Sequence, residues 1–251
     1  MIINTISVGV DQLTRRSSNQ VFSDLRYAAS DASNFHTILN SQISVNSAAL
    51  LADSGINIEL PTRANILLNL THYSKPPYSN QPLIFFFTGH GINIGSDFYI
   101  CPSDFINEIS SYSGIKLDSL IDIASKREAW TLFIFDCCRS SLENDKNNVN
   151  QLGKMKYSLS DEICVMFSCS VNEKSIETNL NDSIFGGIFI HFLSNYLSLC
   201  KDEFINLNEA FEYAKEKTST NANSVFNIKQ VPYYIGPSLS DFYLKKKELT
   251  T

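Results

Sequence analysis

Residues 82–91 read Pro-Leu-Ile-Phe-Phe-Phe-Thr-Gly-His-Gly, and residues 131–141 read Thr-Leu-Phe-Ile-Phe-Asp-Cys-Cys-Arg-Ser-Ser. Each is an unbroken apolar run that stops at a reactive side chain, His90 in the first and Cys138 in the second. Apolar runs without alternation predict strands buried on both faces. Such strands belong to parallel sheets covered by helices, where functional groups sit at the carboxyl ends of the strands. A histidine and a cysteine at two such ends can meet in space, as an imidazole that activates a thiol.

The flanking text supports the same layout. Ile2–Val10 predicts a first buried strand, and Leu25, Ala28, Ala29, Ala32, Phe35 and Leu39 recur at helical spacing. Ser47–Ala52 predicts a second strand, and Pro61 and Thr62 open a second helix with Ile66, Leu67 and Leu70 on its apolar side. Ile115–Ser125 predicts a third helix and Ile163–Ser168 the fifth strand. Phe185, Ile188, Phe189, Phe192, Leu193, Tyr196 and Leu197 predict an amphipathic helix, residues 207–217 another, and Val231–Leu244 a closing strand. Strands alternating with helices predict an α/β fold with a central, mostly parallel sheet and helices on both faces. Residues 1–245 read as one domain, with a mobile loop at 142–161 and a tail at 246–251.

Bulk properties narrow the function. The 251 residues carry a formal charge of −6, with a pI near 5.2, which gives no support for nucleic-acid binding. The Lys245-Lys246-Lys247 run reads as a solvated terminus. No run reaches the length of a membrane span, and no secretory segment opens the chain. The six cysteines, two of them adjacent, read as free thiols of a reducing, cytoplasmic compartment. There is no Cys-x-x-Cys pair and no His-x-x-x-His pair, so no structural zinc site is expected.

His90 precedes Cys138 by 48 positions. A Cys-Arg pair with its histidine about 50 residues upstream is a local signature of caspases. With Thr88-Gly89-His90-Gly91 and Asp136-Cys137-Cys138-Arg139, the chain resembles the caspase-like cysteine peptidases of the C14 (caspase–metacaspase) superfamily, in their prokaryotic or metacaspase-like branch. Arg139 and Ser141 depart from the metacaspase form Asp-x-Cys-His-Ser-Gly, and Arg139 is instead caspase-like. Leu25–Ala32, Leu50–Asp53, Thr62–Ile66, Phe98–Asp104, Ser168–Ser170, Glu177 and Gly187–Phe189 resemble flanking segments of the family in the same order.

Cys138 is the expected nucleophile and His90 the expected base. Cys137 is the rival, but residues two apart on a strand share a side, so Cys137 points away from Asp136 and Cys138. Gly91 lets a backbone N–H approach closely. The resemblance implies an oxyanion hole from the N–H groups of Gly91 and Cys138, with a backbone carbonyl orienting the histidine. It also implies that Asp31 and Asp136 line the S1 pocket beside Thr88 and pair with Arg, then Lys, at P1. A desolvated carboxylate pair recognises a guanidinium by bidentate hydrogen bonds and repels an acid. Arg26 and Arg139 are the side chains that could instead favour an acidic P1. His36, His72 and His191 read as structural or surface residues.

The implied activity is cysteine endopeptidase, without a cofactor. Calcium is one of the activators left open, without support in this sequence. Protein substrates are the expected partners, with a separate activating or regulatory protein in a defence or cell-death setting. Lys146, Lys154 and Lys156 in the 142–161 loop offer sites for self-cleavage. The alternatives are a non-catalytic caspase-fold module, a caspase-like protease of acidic preference, and a different thiol hydrolase. No Gly-x-Ser-x-Gly elbow supports a serine enzyme.

Overall fold

The computed structural model describes residues 1–14, 22–55, 58–141, 159–180 and 184–247. Six strands form the central sheet, in the order Tyr233–Ile235, Ile163–Phe167, Thr131–Cys137, Leu83–Gly89, Ile3–Gly9, Val45–Ala52. Five run parallel, and Tyr233–Ile235 runs antiparallel to its neighbour. The strands that end at His90 and Cys138 are adjacent, with Thr88 opposite Asp136 and Gly89 opposite Cys137. Strand order reverses beside Ile3–Gly9, and a crevice at the carboxyl ends of an open sheet forms at such a reversal.

Both faces of the sheet are covered, which is why these strands are apolar throughout. Phe85 and Phe87 enter one core with Leu70, Leu120, Phe133 and Phe135. Ile84 and Phe86 enter the other with Phe35, Leu132, Ile134, Phe189 and Phe211. Helices Arg63–Tyr73 and Leu117–Ala124 supply the first core, and Ala28–Gln42, Ile188–Leu199 and Leu207–Phe226 supply the second. Each fully buried aromatic or aliphatic side chain contributes about 1.5–3 kcal/mol. Local signals set the helix ends: Thr62 accepts from the Asn65 N–H, Asn206 accepts from the N–H groups of Asn208 and Glu209, and Asn227 stops the last helix in the left-handed region at φ 52°.

Several boundaries differ from the sequence reading. Ile115 and Lys116 are not helical but pair with the strand Asp97–Ile100, and the helix starts at Leu117. Phe185 is not in the amphipathic helix; it belongs to the strand Ile184–Gly187, paired with Glu177–Leu180. Gly91–Ile94 and Asp97–Ile100 form a second hairpin. Both hairpins are short and their side chains lack strict alternation, so periodicity did not reveal them. The closing segment splits: Tyr233–Ile235 joins the main sheet, while Tyr243–Lys245 pairs with Phe204–Asn206. The lysine run is not a free tail, because the N–H groups of Lys246 and Lys247 donate to the carbonyls of Glu203 and Gln42. The last helix also runs beyond residue 217, to Phe226. Residues 142–158 of the expected mobile loop, with Lys146, Lys154 and Lys156, lie outside the described residues. Among the described residues, no helix is long and apolar enough to cross a membrane.

Candidate active site

His90 is the first residue past its strand, between two glycines that the packing requires. Gly89 has φ +154°, where a Cβ would lie 2.9 Å from the Phe87 ring. A Cβ on Gly91 would lie 2.7 Å from the Cys138 carbonyl oxygen and 2.8 Å from the Cys137 Sγ. No side chain fits there, and its absence lets the histidine turn pack on the cysteine turn. The His90 Nε2 donates to the Ser23 carbonyl at 2.8 Å, and the ring stacks on Phe22 with centroids 4.7 Å apart. A carbonyl only accepts, so Nε2 carries the proton and Nδ1 keeps its lone pair. Burial pulls the imidazole pKa below its usual 6.5, against the opposing pull of the Ser23 carbonyl and Asp24.

Cys138 follows the end of its strand and is partly buried. Its Sγ donates to the Ser175 carbonyl at 3.6 Å. Burial pushes the thiol pKa upward, with Asp136 and Glu177 adding to the rise and the Ser175 contact and Lys174 opposing it. A raised thiol and a lowered imidazole in one cleft both favour their neutral forms near pH 7. Cys137 is 3% exposed and packs into the core with Phe133 and Phe135, as strand alternation demands. Burial raises its pKa well above the ordinary thiol range.

Asp31 and Asp136 are 6% and 4% exposed. Asp31 lies in the first turn of Ala28–Gln42 and accepts from the Gly187 N–H at 2.8 Å. Asp136 accepts from the Ser175 hydroxyl at 2.6 Å and the Ile190 N–H at 3.1 Å. Both therefore face the N-terminus of Ile188–Leu199, whose dipole favours negative charge. Among the described residues, no ion pair includes either carboxylate. Burial, with repulsion from Asp136, Glu177 and Asp11, pushes Asp31 up to about 8, against the Gly187 N–H. Burial also raises Asp136, against its hydrogen bonds. The adjoining glycines are obligatory. Gly186 has φ +88°, and a Cβ there would lie 1.8 Å from an Asp31 carboxylate oxygen; on Gly187 it would lie 2.3 Å from an Asp136 oxygen.

All six expected site residues line one cleft of about 360 Å³: Asp31, Thr88, His90, Gly91, Asp136 and Cys138. The expected alternative role of the two arginines finds no support. Arg139 is 1% exposed and sits over the rings of Phe167, Phe98 and Tyr233, at 4.3, 5.4 and 5.3 Å. It follows Cys138 in sequence but points into the core on the other side. Arg26 is exposed and does not line the cleft.

Phe22, Ser23 and Ser175 also line the cleft and carried no signal in the sequence. Phe22 and Ser23 come from a polar segment without periodicity, and the Ser23 contribution is a main-chain oxygen that any residue supplies. Ser175 links the two ends of the site, its carbonyl accepting from Cys138 and its hydroxyl donating to Asp136. Ser168 and Gln230 donate in turn to the Ser175 hydroxyl at 2.9 and 3.3 Å. Glu177 adds a third carboxylate to the cleft.

The fold compares with solved structures. Caspase-1 from Spodoptera frugiperda matches with a TM-score of 0.63 at 12% identity, over 93% of this chain and 85% of that one. A protein from Geobacter sulfurreducens matches with a TM-score of 0.64 at 15% identity, over 94% of each chain. At such identities the likeness shows the fold alone. No curated protein matches the chain. The caspase-domain family model of peptidase C14 matches residues 18–243. With the sheet order and the match over most of its length, the chain belongs to the caspase-domain family of C14 peptidases.

Proposed function

We propose that this chain is a cysteine endopeptidase that cleaves proteins after Arg, and after Lys second, through His90 and Cys138. The observation that carries the reading is the buried Asp31–Asp136 pair in the cleft of the histidine and the thiol. Two carboxylates taken out of water without an ion pair among the described residues are costly, and a basic P1 side chain relieves that cost. Arginine fits better than lysine because its planar fork can bond both acids at once.

In this reading the P1 cation enters between Asp31 and Asp136 and brings the scissile carbonyl to Cys138. As Sγ attacks the carbonyl carbon, the thiol proton passes to His90 Nδ1. The Ser23 carbonyl stabilises the imidazolium through Nε2. The negative oxygen of the tetrahedral intermediate receives hydrogen bonds from the N–H groups of Gly91 and Cys138. Collapse breaks the C–N bond, and the imidazolium protonates the leaving amine. A thioester acyl-enzyme remains, and water activated by His90 hydrolyses it to free the acid and the thiol. No step requires a cofactor. The free thiols suit a reducing, cytoplasmic setting. A separate protein that controls access to the cleft is the expected regulator.

Fluorogenic peptides that differ only at P1 (Arg, Lys, Asp, Ala) test the reading. Hydrolysis in the order Arg, Lys, Ala, with Asp inert, is expected. Preference for Asp would remove the role given to the acidic pair. A protein inert with every peptide, and with a P1-Arg chloromethyl ketone that alkylates the thiol, would leave the non-catalytic module as the better account.

A further inference from the structure

A fully buried amide outside the cleft connects to both of its ends. Gln230 is 1% exposed and does not line the cleft. It lies between the last helix, Leu207–Phe226, and the edge strand Tyr233–Ile235. Its Oε1 accepts from the Ile176 N–H at 3.1 Å. Its Nε2 donates to the Ser168 carbonyl at 2.9 Å and to the Ser175 hydroxyl at 3.3 Å. A carbonyl only accepts and an N–H only donates, so these partners fix which way round the amide sits. The main chain beside it is held as well, since the Val231 N–H donates to Glu173 Oε2 at 2.8 Å.

Those bonds orient Ser175. The Ile176 N–H and the Ser175 carbonyl belong to one planar trans peptide and point in opposite directions. Gln230 grips the N–H on one side, so the carbonyl faces the Cys138 Sγ on the other. The Ser175 hydroxyl receives hydrogen bonds from Ser168 and Gln230, which leaves its single proton for Asp136 at 2.6 Å. We propose that Gln230 is a positioning residue for the reaction. Acting through Ser175, it holds the carbonyl that places the Cys138 thiol and keeps a hydroxyl donor aimed at Asp136. The proposal rests on the basic-P1 reading and extends it to a side chain that bonds neither Cys138 nor Asp136.

The test uses Gln230→Met, which keeps the length of the side chain and removes its hydrogen bonds, with rates taken per folded molecule. For a P1-Ala peptide kcat should fall about tenfold, because Sγ is no longer held. For P1-Arg kcat/KM should fall about tenfold further, because Asp136 loses a fixed donor. The pH at which KM for P1-Arg decreases should move upward, since a donor favours the ionised carboxylate. Glu173→Ala loosens the same loop from Val231 without a bond to Ser175, and should lower stability while keeping the ratio of P1-Arg to P1-Ala rates. Ser175→Ala combined with Gln230→Met should cost no more P1-Arg preference than Ser175→Ala alone. A measurement free of peptide cleavage is the rate at which iodoacetamide alkylates Cys138, located by mass spectrometry. It should change by about threefold or more in Gln230→Met and by less than about twofold in Glu173→Ala. Equal losses for both peptides, additive losses in the double variant, or an unchanged alkylation rate overturn the proposal. Wild-type cleavage after Asp overturns the parent reading instead, and the alkylation rates still decide whether Gln230 positions the thiol. If Gln230→Met fails to fold, Gln230→Asn, whose amide falls one methylene short of Ser175 and Ile176, gives the same comparisons.

Discussion

The two ends of the cleft are built on opposite electrical principles. At one end His90 and Cys138 are held by main-chain carbonyls, those of Ser23 and Ser175, and both rest neutral because burial lowers the imidazole and raises the thiol. At the other end Asp31 and Asp136 are held by N–H and O–H donors, which favour the ionised form, yet burial still lifts their pKa values. The reacting end can pass a proton without changing its own net charge. In the proposed function the P1 cation completes the acidic end. Ser175 touches both ends with one residue, its carbonyl accepting from Cys138 and its hydroxyl donating to Asp136.

Substitutions can break this contrast at either end. Cys138→Ala should lower kcat/KM for a P1-Arg peptide by on the order of 10⁴-fold or more, the scale seen when a nucleophile is removed. Cys137→Ala, whose thiol faces the core, should keep kcat/KM within about threefold and lose about 1 kcal/mol of stability instead. Equal loss in both would mean that the two thiols do not have separate roles. At the acidic end, Asp136→Asn should cost about 10²- to 10³-fold in kcat/KM for P1-Arg, the range for truncating a buried charge partner. The P1-Ala rate should hardly change. A matching fall for P1-Ala would assign Asp136 to the reacting end.

Gly186→Ala tests the wall between the acids. Its backbone φ of +88° and the 1.8 Å approach to Asp31 leave no room for a methyl group. A stability loss of about 2–4 kcal/mol by denaturant titration is expected. A neutral result would show that the hairpin moves freely off Asp31.

Titration sharpens the contrast with smaller effects. The acid limb of kcat/KM should fall below pH 6.5, where the lowered His90 takes up a proton. KM for P1-Arg should decrease as pH rises toward 8, by up to about tenfold per unit, because ionised Asp31 is the form that pairs with the cation. P1-Ala should show no such trend. Stability runs the other way. A carboxyl raised from 3.8 to about 8 binds more protons folded than unfolded across that window, so stability falls as pH rises from about 4 to about 8. Asp31→Asn should therefore gain about 1–2 kcal/mol at pH 8 and little at pH 4, measured by thermal or urea unfolding. An equal gain at both pH values would place its origin in packing.

The chain's linear text determined the sheet and singled out the nucleophile and base proposed here. Unbroken apolar runs have one economical use, as strands covered on both faces, and each run ends at its own reactive residue. Strand alternation was enough to separate Cys138 from Cys137. Those signals are local, and local periodicity survives in a single sequence. The tertiary structure alone decided the rest. Ser23 and Ser175 act through main-chain oxygens, which no residue type marks. Arg139 is adjacent to Cys138 yet caged by Phe98, Phe167 and Tyr233, because its side chain points to the opposite face of the strand end. The two hairpins are too short for a periodic signal, and Gly186 and Gly187 of one of them lie against carboxylates far away in sequence. Contacts across such distances are set by how helices and strands pack, and packing is where one sequence read alone falls silent.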